Sequence, residues 1–365
     1  MGYRVVSLGD VIQLEDSKRQ PLSSRERDNR RGVYPYYGAQ GIVDYLDDYT
    51  YEGDYLLVAE DGENLRSRKQ PIANAAHGRF RVNNHAHVIA ATKCCNLIYL
   101  RHLLNNMDIA AYVTGSTQPK LSQTSLLNMK VELPEIDKQD AIATFLHCFD
   151  AKITANAKLN GYLEELADSL FKRRFGELPD NAFLSDVADI TMGQSPAGSS
   201  YNENGVGTVF YQGRGEFGWR YPSQRLSTTE PKRMARRGDV LMSVRAPVGD
   251  LNIAFEDCCI GRGLAAIHSE HPSFCLYLMR SLHSKLDAFN GEGTVFGSIN
   301  GGALKSLPIA QPKTREIQAF EKEASHIDAL IRGKELQSRL LTTLRDTLLP
   351  RLMSGEIDVS KVALI

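Results

Sequence analysis

No run of eighteen apolar residues occurs anywhere in the 365-residue chain, which excludes an apolar helix long enough to cross a bilayer. Met1-Gly2-Tyr3-Arg4 leads directly into patterned sequence, without the apolar stretch of a secretory signal. Cysteine is scarce and poorly spaced for chemistry. Cys94-Cys95 and Cys258-Cys259 are adjacent pairs, Cys148 and Cys275 stand alone, and no CxxC offers a zinc or redox site. A reduced cytoplasmic protein is the expectation. Catalytic signatures are missing as well: no P-loop, GxSxG, HExxH or zinc quartet is present. Nor is there an Asn/Asp-Pro-Pro-Tyr/Phe segment, the mark of an amino-methyltransferase site. Gly213 to Gly218 spells GxGxxG, but no convincing strand precedes it and no βαβ unit follows, so it reads as a turn-rich loop.

What is present is ordinary globular composition, 42% hydrophobic and 24% charged, at a length that favours two domains. The net charge of −1 hides two local basic runs. Lys18, Arg19, Arg25, Arg27, Arg30 and Arg31 form the first, against Glu26 and Asp28. Arg225, Lys232, Arg233, Arg236, Arg237 and Arg245 form the second, against Glu230 and Asp239. Two such runs on a neutral chain fit contact with phosphate at two places, although any single run also fits a solvated face.

The chain repeats itself. An offset of 178 matches Gly115 with Gly293, Pro134 with Pro312, Asp150 with Asp328 and Asp168 with Asp346, and gives twelve identities over the sixty-one positions from Gly115 to Phe175. Helical periodicity alone would align some leucines, but not the Gly, Pro and Asp landmarks. Upstream the match is looser: Leu8-Gly9-Asp10-Val11 parallels Leu184-Ser185-Asp186-Val187, and the segment from Gly53 to Val58 parallels Gly238 to Ser243.

Each half opens with short alternating strands punctuated by turn residues, then becomes helical. The first helix follows the apolar spacing Ile142, Leu146, Phe149, Ile153, Leu163, Leu166 and Leu170 and is expected to pair through these except Leu166, together with Asn156 and Asn160, with Asp137 as its N-cap and Gly176 as its stop. The second follows Phe320, Ile327, Ile331, Leu341, Leu344 and Leu348 and is expected to pair through these except Leu344, with Pro350 ending or bending it. The seam turns polar at Asn156 and Asn160, and at Lys334 and Ser338, so polar centres would meet in an antiparallel pair and fix its register.

Candidate DNA-contacting residues come from the basic runs and from the loops. Arg reads guanine and Asn or Gln reads adenine through paired hydrogen bonds. In the first half these are Lys18, Arg19, Arg25, Arg27, Asn64, Arg66, Arg68, Lys69, Ser116, Thr117 and Lys120. In the second they are Gln212, Arg214, Arg220, Arg225, Lys232, Arg233, Arg245, Thr294 and Ser298. Tyrosines crowd both halves, among them Tyr34, Tyr36, Tyr37, Tyr45, Tyr49, Tyr51 and Tyr55, then Tyr201, Tyr211 and Tyr221 beside Trp219, and are divided between core and contact. His77, His85 and His87 lack the further ligand that a metal site would need, so they read as structural.

These segments together resemble the specificity subunit of type I restriction-modification systems. The resemblance rests on Tyr34 to Gly41, Leu56 to Gly62 and Asn83 to Val88 in the first half. In the second it rests on Gly193-Gln-Ser-Pro196, Gly238 to Gly249 and Cys259-Ile-Gly-Arg-Gly263, with Asp150 to Ile153 and its copy Asp328 to Ile331 in the helices. It implies an α+β fold, two mixed strand-rich target-recognition domains joined by two long antiparallel coiled-coil helices in a pseudo-twofold repeat. The expected boundaries are 1–134 and 179–312 for the domains, 135–178 and 313–355 for the helices, and 356–365 for a tail. It also implies a non-catalytic chain without cofactor or metal that reads a bipartite double-stranded DNA target, its helices acting as rigid spacer and docking surface. Two methyltransferase subunits and restriction subunits would carry S-adenosylmethionine, ATP and Mg. Two other readings stand beside it: a specificity subunit of a type IIG-like system, and an adaptor that binds no DNA. On the first reading, Arg66→Ala or Arg214→Ala weakens recognition of one half-site without unfolding the chain; methylation-site mapping checks this, and an unaltered motif in both variants counts against these residues.

Overall fold

Two forty-residue helices, Ile136–Phe175 and Thr314–Met353, stand where the apolar periodicity places them. The structure, a computed structural model, describes residues 3–291 and 297–359. The chain divides into two units, Met1–Ala155 with Gln337–Ile365, and Asn156–Leu336. Each long helix therefore contributes to both units.

In the first unit the strands are β1 (Arg4–Ser7), β2 (Gln13–Leu14), β3 (Arg31–Gly38), β4 (Gly41–Leu46), β5 (Tyr51–Ala59), β6 (Ala73–Val82), β7 (Ala86–Ala90) and β8 (Lys130–Leu133). β1 pairs with β8, and the other six form one sheet in the order β2-β7-β5-β6-β3-β4. The β3–β6 pairing is parallel, Tyr36 facing Arg81 and Tyr37 facing Val82. One core joins the sheet, the short helix Leu97–Asn106 and the long helices through Leu56, Val58, Ile89, Leu100, Ile142, Leu146, Leu349 and Leu352.

The second unit repeats this plan with one interruption. Its strands are β9 (Ala182–Phe183), β10 (Asp189–Met192), β11 (Tyr201–Asn202), β12 (Thr208–Tyr211), β13 (Leu226–Thr228), β14 (Met234–Ala235), β15 (Val240–Ser243), β16 (Leu251–Ile253), β17 (Cys258–Ile260), β18 (Leu264–His268) and β19 (Pro308–Ile309). β9 pairs with β19 as β1 does with β8. The ladder β10-β18-β15-β16 corresponds to β2-β7-β5-β6, and the parallel pair β12–β17 to β3–β6. The continuous β6 is matched by two short strands, β16 and β17, because Phe255-Glu256-Asp257 turns the chain between them. One six-stranded sheet thus becomes a four-stranded and a five-stranded sheet.

Within the second unit the helices run antiparallel. The Asn156 amide donates to the Lys334 carbonyl at 3.5 Å, Asn160 donates to the Ile331 carbonyl at 3.4 Å, and Arg174 pairs with Glu323 at 2.7 Å. Both asparagines are buried, and their donors reach backbone carbonyls of the facing helix. The apolar end of this pairing is aromatic: Phe171, Phe175 and Phe320 lie with ring centroids 5.1–5.6 Å apart. All thirteen residues expected to pair are buried or half-buried, whereas Leu166 and Leu344, which fit the same apolar period, are exposed; Ala167, Phe171, Ala324 and Leu349 are buried.

Two further expectations change and one holds. Asp137 lies inside the first turn of a helix that begins at Ile136, where its charge favours the helix dipole without capping. Gly176 does close the helix, its amide donating to the Lys172 carbonyl at 2.9 Å. Pro350 neither ends nor shortens the second helix. It sits in the last turn, where the missing N–H costs one hydrogen bond, and both helices reach the same forty residues.

The duplicated aspartates explain their own retention. Asp150 of the first long helix receives Arg101 and, at 3.4 Å, His102 from the short helix Leu97–Asn106, and Arg345 of the second long helix at 2.7 Å. Burial works to raise its pKa, but His102, Arg345 and Arg101 outweigh it and hold the carboxyl well below the usual carboxylate range. A depressed carboxylate stabilises the fold fully above its unfolded value, near 4, and loses that contribution as pH falls towards the folded value. Asp150→Asn is therefore expected to cost on the order of 2–3 kcal/mol at pH 7 and to flatten the acid limb of a urea-unfolding series below pH 4; equal acid sensitivity in both chains would count against this anchor.

Candidate nucleic-acid interface

The first basic run is largely neutralised by acids, some three residues away and others distant in sequence. Lys18 pairs with Glu15 at 2.7 Å, Arg19 with Glu60 at 2.6 Å and Asp16 at 3.2 Å, and Arg27 with Asp44 at 3.0 Å. Arg30 meets Asp47 and Asp48, and Arg31 meets Asp28 and Asp44. Arg27 also donates to the Leu22 carbonyl and lies over the Tyr36 ring. Arg25 alone in this run is exposed with no side-chain partner among the described residues.

The loop residues separate into structural and exposed sets. Asn64 is buried, its amide donating to the Gln70 carbonyl and its Oδ1 accepting from the Gln70 amide, both at 2.9 Å. That closes a loop and leaves no edge for a base. Arg68 has left-handed backbone, φ 51°, and caps the short helix by donating to the carbonyls of Leu104 and Asn105. Burial pulls its pKa down, and Asp108 offsets this only partly. Arg66 is exposed but also braces structure, donating to the carbonyls of Gly115 and Ser116. Lys69, Ser116 and Thr117 are exposed, and Lys120 pairs with Glu60 at 3.2 Å.

The histidines are engaged. His77 lies 2.8 Å from Asp54 and His85 2.8 Å from Asp61. Buried His87 has Nδ1 2.6 Å from Asp16 and Nε2 2.9 Å from the Leu121 carbonyl. Asp16, Glu60 and His87 place three ligand atoms within 4.8 Å of one another. Arg19 already bridges the two carboxylates and Lys120 adds a second cation, so the cluster's negative charge is matched without a metal.

In the second unit, Arg220 is a correction. It is buried, donating to Glu164 at 3.2 Å, to Asp328 and to the Tyr277 hydroxyl at 3.3 Å. Burial disfavours its charge, but Asp328 and Tyr277 outweigh that and raise its pKa. Removing either member of such a buried pair costs about 3–5 kcal/mol, so Arg220 fastens the strand-rich part of the unit to both long helices and offers nothing to DNA. Arg225 pairs with Glu216 at 3.1 Å and Arg214 with Asp250 at 2.8 Å, both still exposed. Gln212, Lys232, Arg233, Arg245 and Ser298 are exposed. Thr294 lies outside the described residues. Of the aromatics, Tyr36, Tyr51, Tyr211 and Tyr221 are core, whereas Tyr45, Tyr49 and Trp219 are exposed.

A shared loop frame underlies the exposed sets. In the first unit the Asn83 amide donates to the Tyr37 carbonyl at 3.0 Å, Glu60 to His85 at 2.9 Å, and Leu121 to Glu60 at 2.8 Å. In the second the Gly261 amide donates to Tyr211 at 2.8 Å, Val244 to Gly263 at 3.0 Å, and Ile299 to Val244 at 3.1 Å. The isolated bridges Asp61–Lys120 and Arg245–Ser298 complete the match. Around one frame the side chains differ: Asp61, Asn84, His85 and Lys120 in the first unit, Arg245, Arg262 and Ser298 in the second. Neither Asn84 nor Arg262 is among the candidates read from the sequence, because a lone polar residue in Asn83-Asn84-His85 or Gly261-Arg262-Gly263 carries no periodic signal.

A family model described as the type I restriction modification DNA specificity domain matches residues 1–165. A putative type I restriction enzyme MjaX specificity subunit of Methanocaldococcus jannaschii is 33% identical over 289 residues, covering 72% of this chain and 68% of that protein. A putative type I restriction enzyme specificity subunit of Haemophilus influenzae is 33% identical over 144 residues, 40% of this chain and 36% of the other. The crystal structure of a type I restriction-modification S subunit from M. genitalium shares the fold, with TM-score 0.62 over 96% of each chain at 14% identity.

Proposed function

The chain belongs to the specificity subunits of type I restriction-modification systems, and from that membership we propose that each unit reads one half of a two-part duplex DNA sequence while the long helices carry the methylating subunits. The duplicated loop frame is its main support. One set of backbone hydrogen bonds occurs in both units and presents different exposed side chains in each, as two dissimilar half-sites require. Readout then comes from base edges, while exposed Arg25, Lys69, Lys232 and Arg233 supply salt-dependent phosphate contact. The chemistry of methylation and cleavage, with S-adenosylmethionine, ATP and Mg, falls to partner subunits. The relatives are named as type I specificity subunits, which gives no support to the type IIG-like alternative.

The outward-facing helix residues support a docking role. Tyr162 and Leu166 of the first long helix are 57% and 50% exposed, and Leu340 and Leu344 of the second are 63% and 47% exposed. Each pair is related by the same offset of 178. A corresponding exposed apolar patch displayed twice fits two copies of one partner, since exposed apolar clusters mark interaction sites. With its methyltransferase, the chain is expected to place N6-methyladenine in one two-part motif, and native mass spectrometry to find two methyltransferase copies. Tyr162→Glu with Leu166→Glu is expected to remove one copy and the methylated motif while leaving the fold intact. A wild-type complex with no two-part motif would sink the reading; two copies retained by the double variant would sink the docking assignment.

A further inference from the structure

The matched frames put Asn84 and Arg262 at one structural position. Asn83 and Gly261 make the same hydrogen bond just before it, to Tyr37 and Tyr211, and the carbonyls of His85 and Gly263 accept the same bond just after it, from Glu60 and Val244. Both side chains are exposed, and neither has a hydrogen-bond or ion-pair partner among the described residues. Most other polar groups nearby are already spent: His85 on Asp61, Lys120 on Glu60 and Arg214 on Asp250.

The backbone beneath each side chain is tightly held. A Cβ at Gly261 or Gly263 would fall 2.8 or 2.9 Å from the Gln212 carbonyl oxygen, so glycine lets the loop pack directly on that strand end. The Arg262 amide donates to the Ser195 hydroxyl at 3.2 Å. On the other side, the Asn83 side chain accepts from the His85 amide at 2.8 Å and closes a turn around Asn84. A fixed base with a free tip is what selective hydrogen bonding needs, because little further ordering is required on binding.

The residue types decide what the position does. A phosphate clamp would be expected to carry a cation in both units. Instead one unit has a guanidinium and the other a neutral amide, and each can form two parallel hydrogen bonds to a base edge: Arg to guanine O6 and N7, Asn to adenine N6 and N7. Resting on the reading of this chain as a DNA specificity subunit, we propose that position 84/262 is a specificity-determining site in both units, with Arg262 selecting a guanine in one half-site and Asn84 an adenine in the other.

The test uses the full chain, co-expressed with its methyltransferase partner, and maps methylated adenine across the host genome. Arg262→Gln is expected to relax or change one guanine of one half-site, and Asn84→Ser one adenine of the other, each lowering discrimination at that base by about five- to hundredfold. The remaining bases and the spacer stay the same. Both substitutions are exposed, and co-purification with the partner confirms that each variant is assembled. A wild-type two-part motif that persists unaltered in both variants overturns this assignment and leaves the functional reading intact. So does an Arg262→Gln complex that loses methylation uniformly at every site, with a shallower salt dependence, which is the behaviour of a phosphate contact. A wild-type complex that yields no two-part motif overturns both.

Discussion

The partly buried ion pairs that tie each long helix to the rest of its unit are the constraint on which the rest depends. Asp150 gathers Arg101, His102 and Arg345; Asp328 gathers Arg220 and Tyr277; Asp168 takes Arg280 at 2.7 Å. A charged carboxylate in such a setting is tolerated only when its partners are correctly placed. That requirement couples each recognition region to its share of helix in a single geometry, and the loop frame inherits its position from it.

On that base, duplication divides labour between what is kept and what varies. The kept parts are the helix halves, the acidic anchors and the backbone bonds of the frame. The varying parts lie at the strand ends, where the split of β6 into β16 and β17 and the exchange of Asp61 for Arg245 alter the surface without disturbing the ladder. Because backbone hydrogen bonds carry the frame, side chains on it are free to change with the target.

Much of this was legible from the residues. Long amphipathic segments announce themselves by spacing, and the paired Gly, Pro and Asp landmarks mark the duplication because each meets a need that spacing alone does not create. The asparagines at the polar centre were readable for the same reason. Charge was less so: Arg19, Arg27, Arg30 and Arg31 look like a free basic run, and only folding brings Asp44, Asp47, Asp48 and Glu60 against them. Arg220 and Asn64 looked like loop residues because nothing local reveals that a polar side chain is buried. Leu166 and Leu344 fit the helical period yet face outward, since a period fixes spacing but not which neighbouring position fills the seam.

The interleaving of the helices has a consequence for synthesis. The unit begun by the N-terminus takes its last segment from Gln337 onward, whereas the other unit is encoded without interruption between Asn156 and Leu336. A ribosome thus releases every residue of the later-encoded unit before the earlier one can close. The opening sheet must wait for the segment after Leu336, with Ile142 and Leu146 short of Leu349 and Leu352 until then. Vectorial folding usually settles domains from the N-terminus forward; here a chain cut after Leu336 would lack the segment that completes the unit begun first.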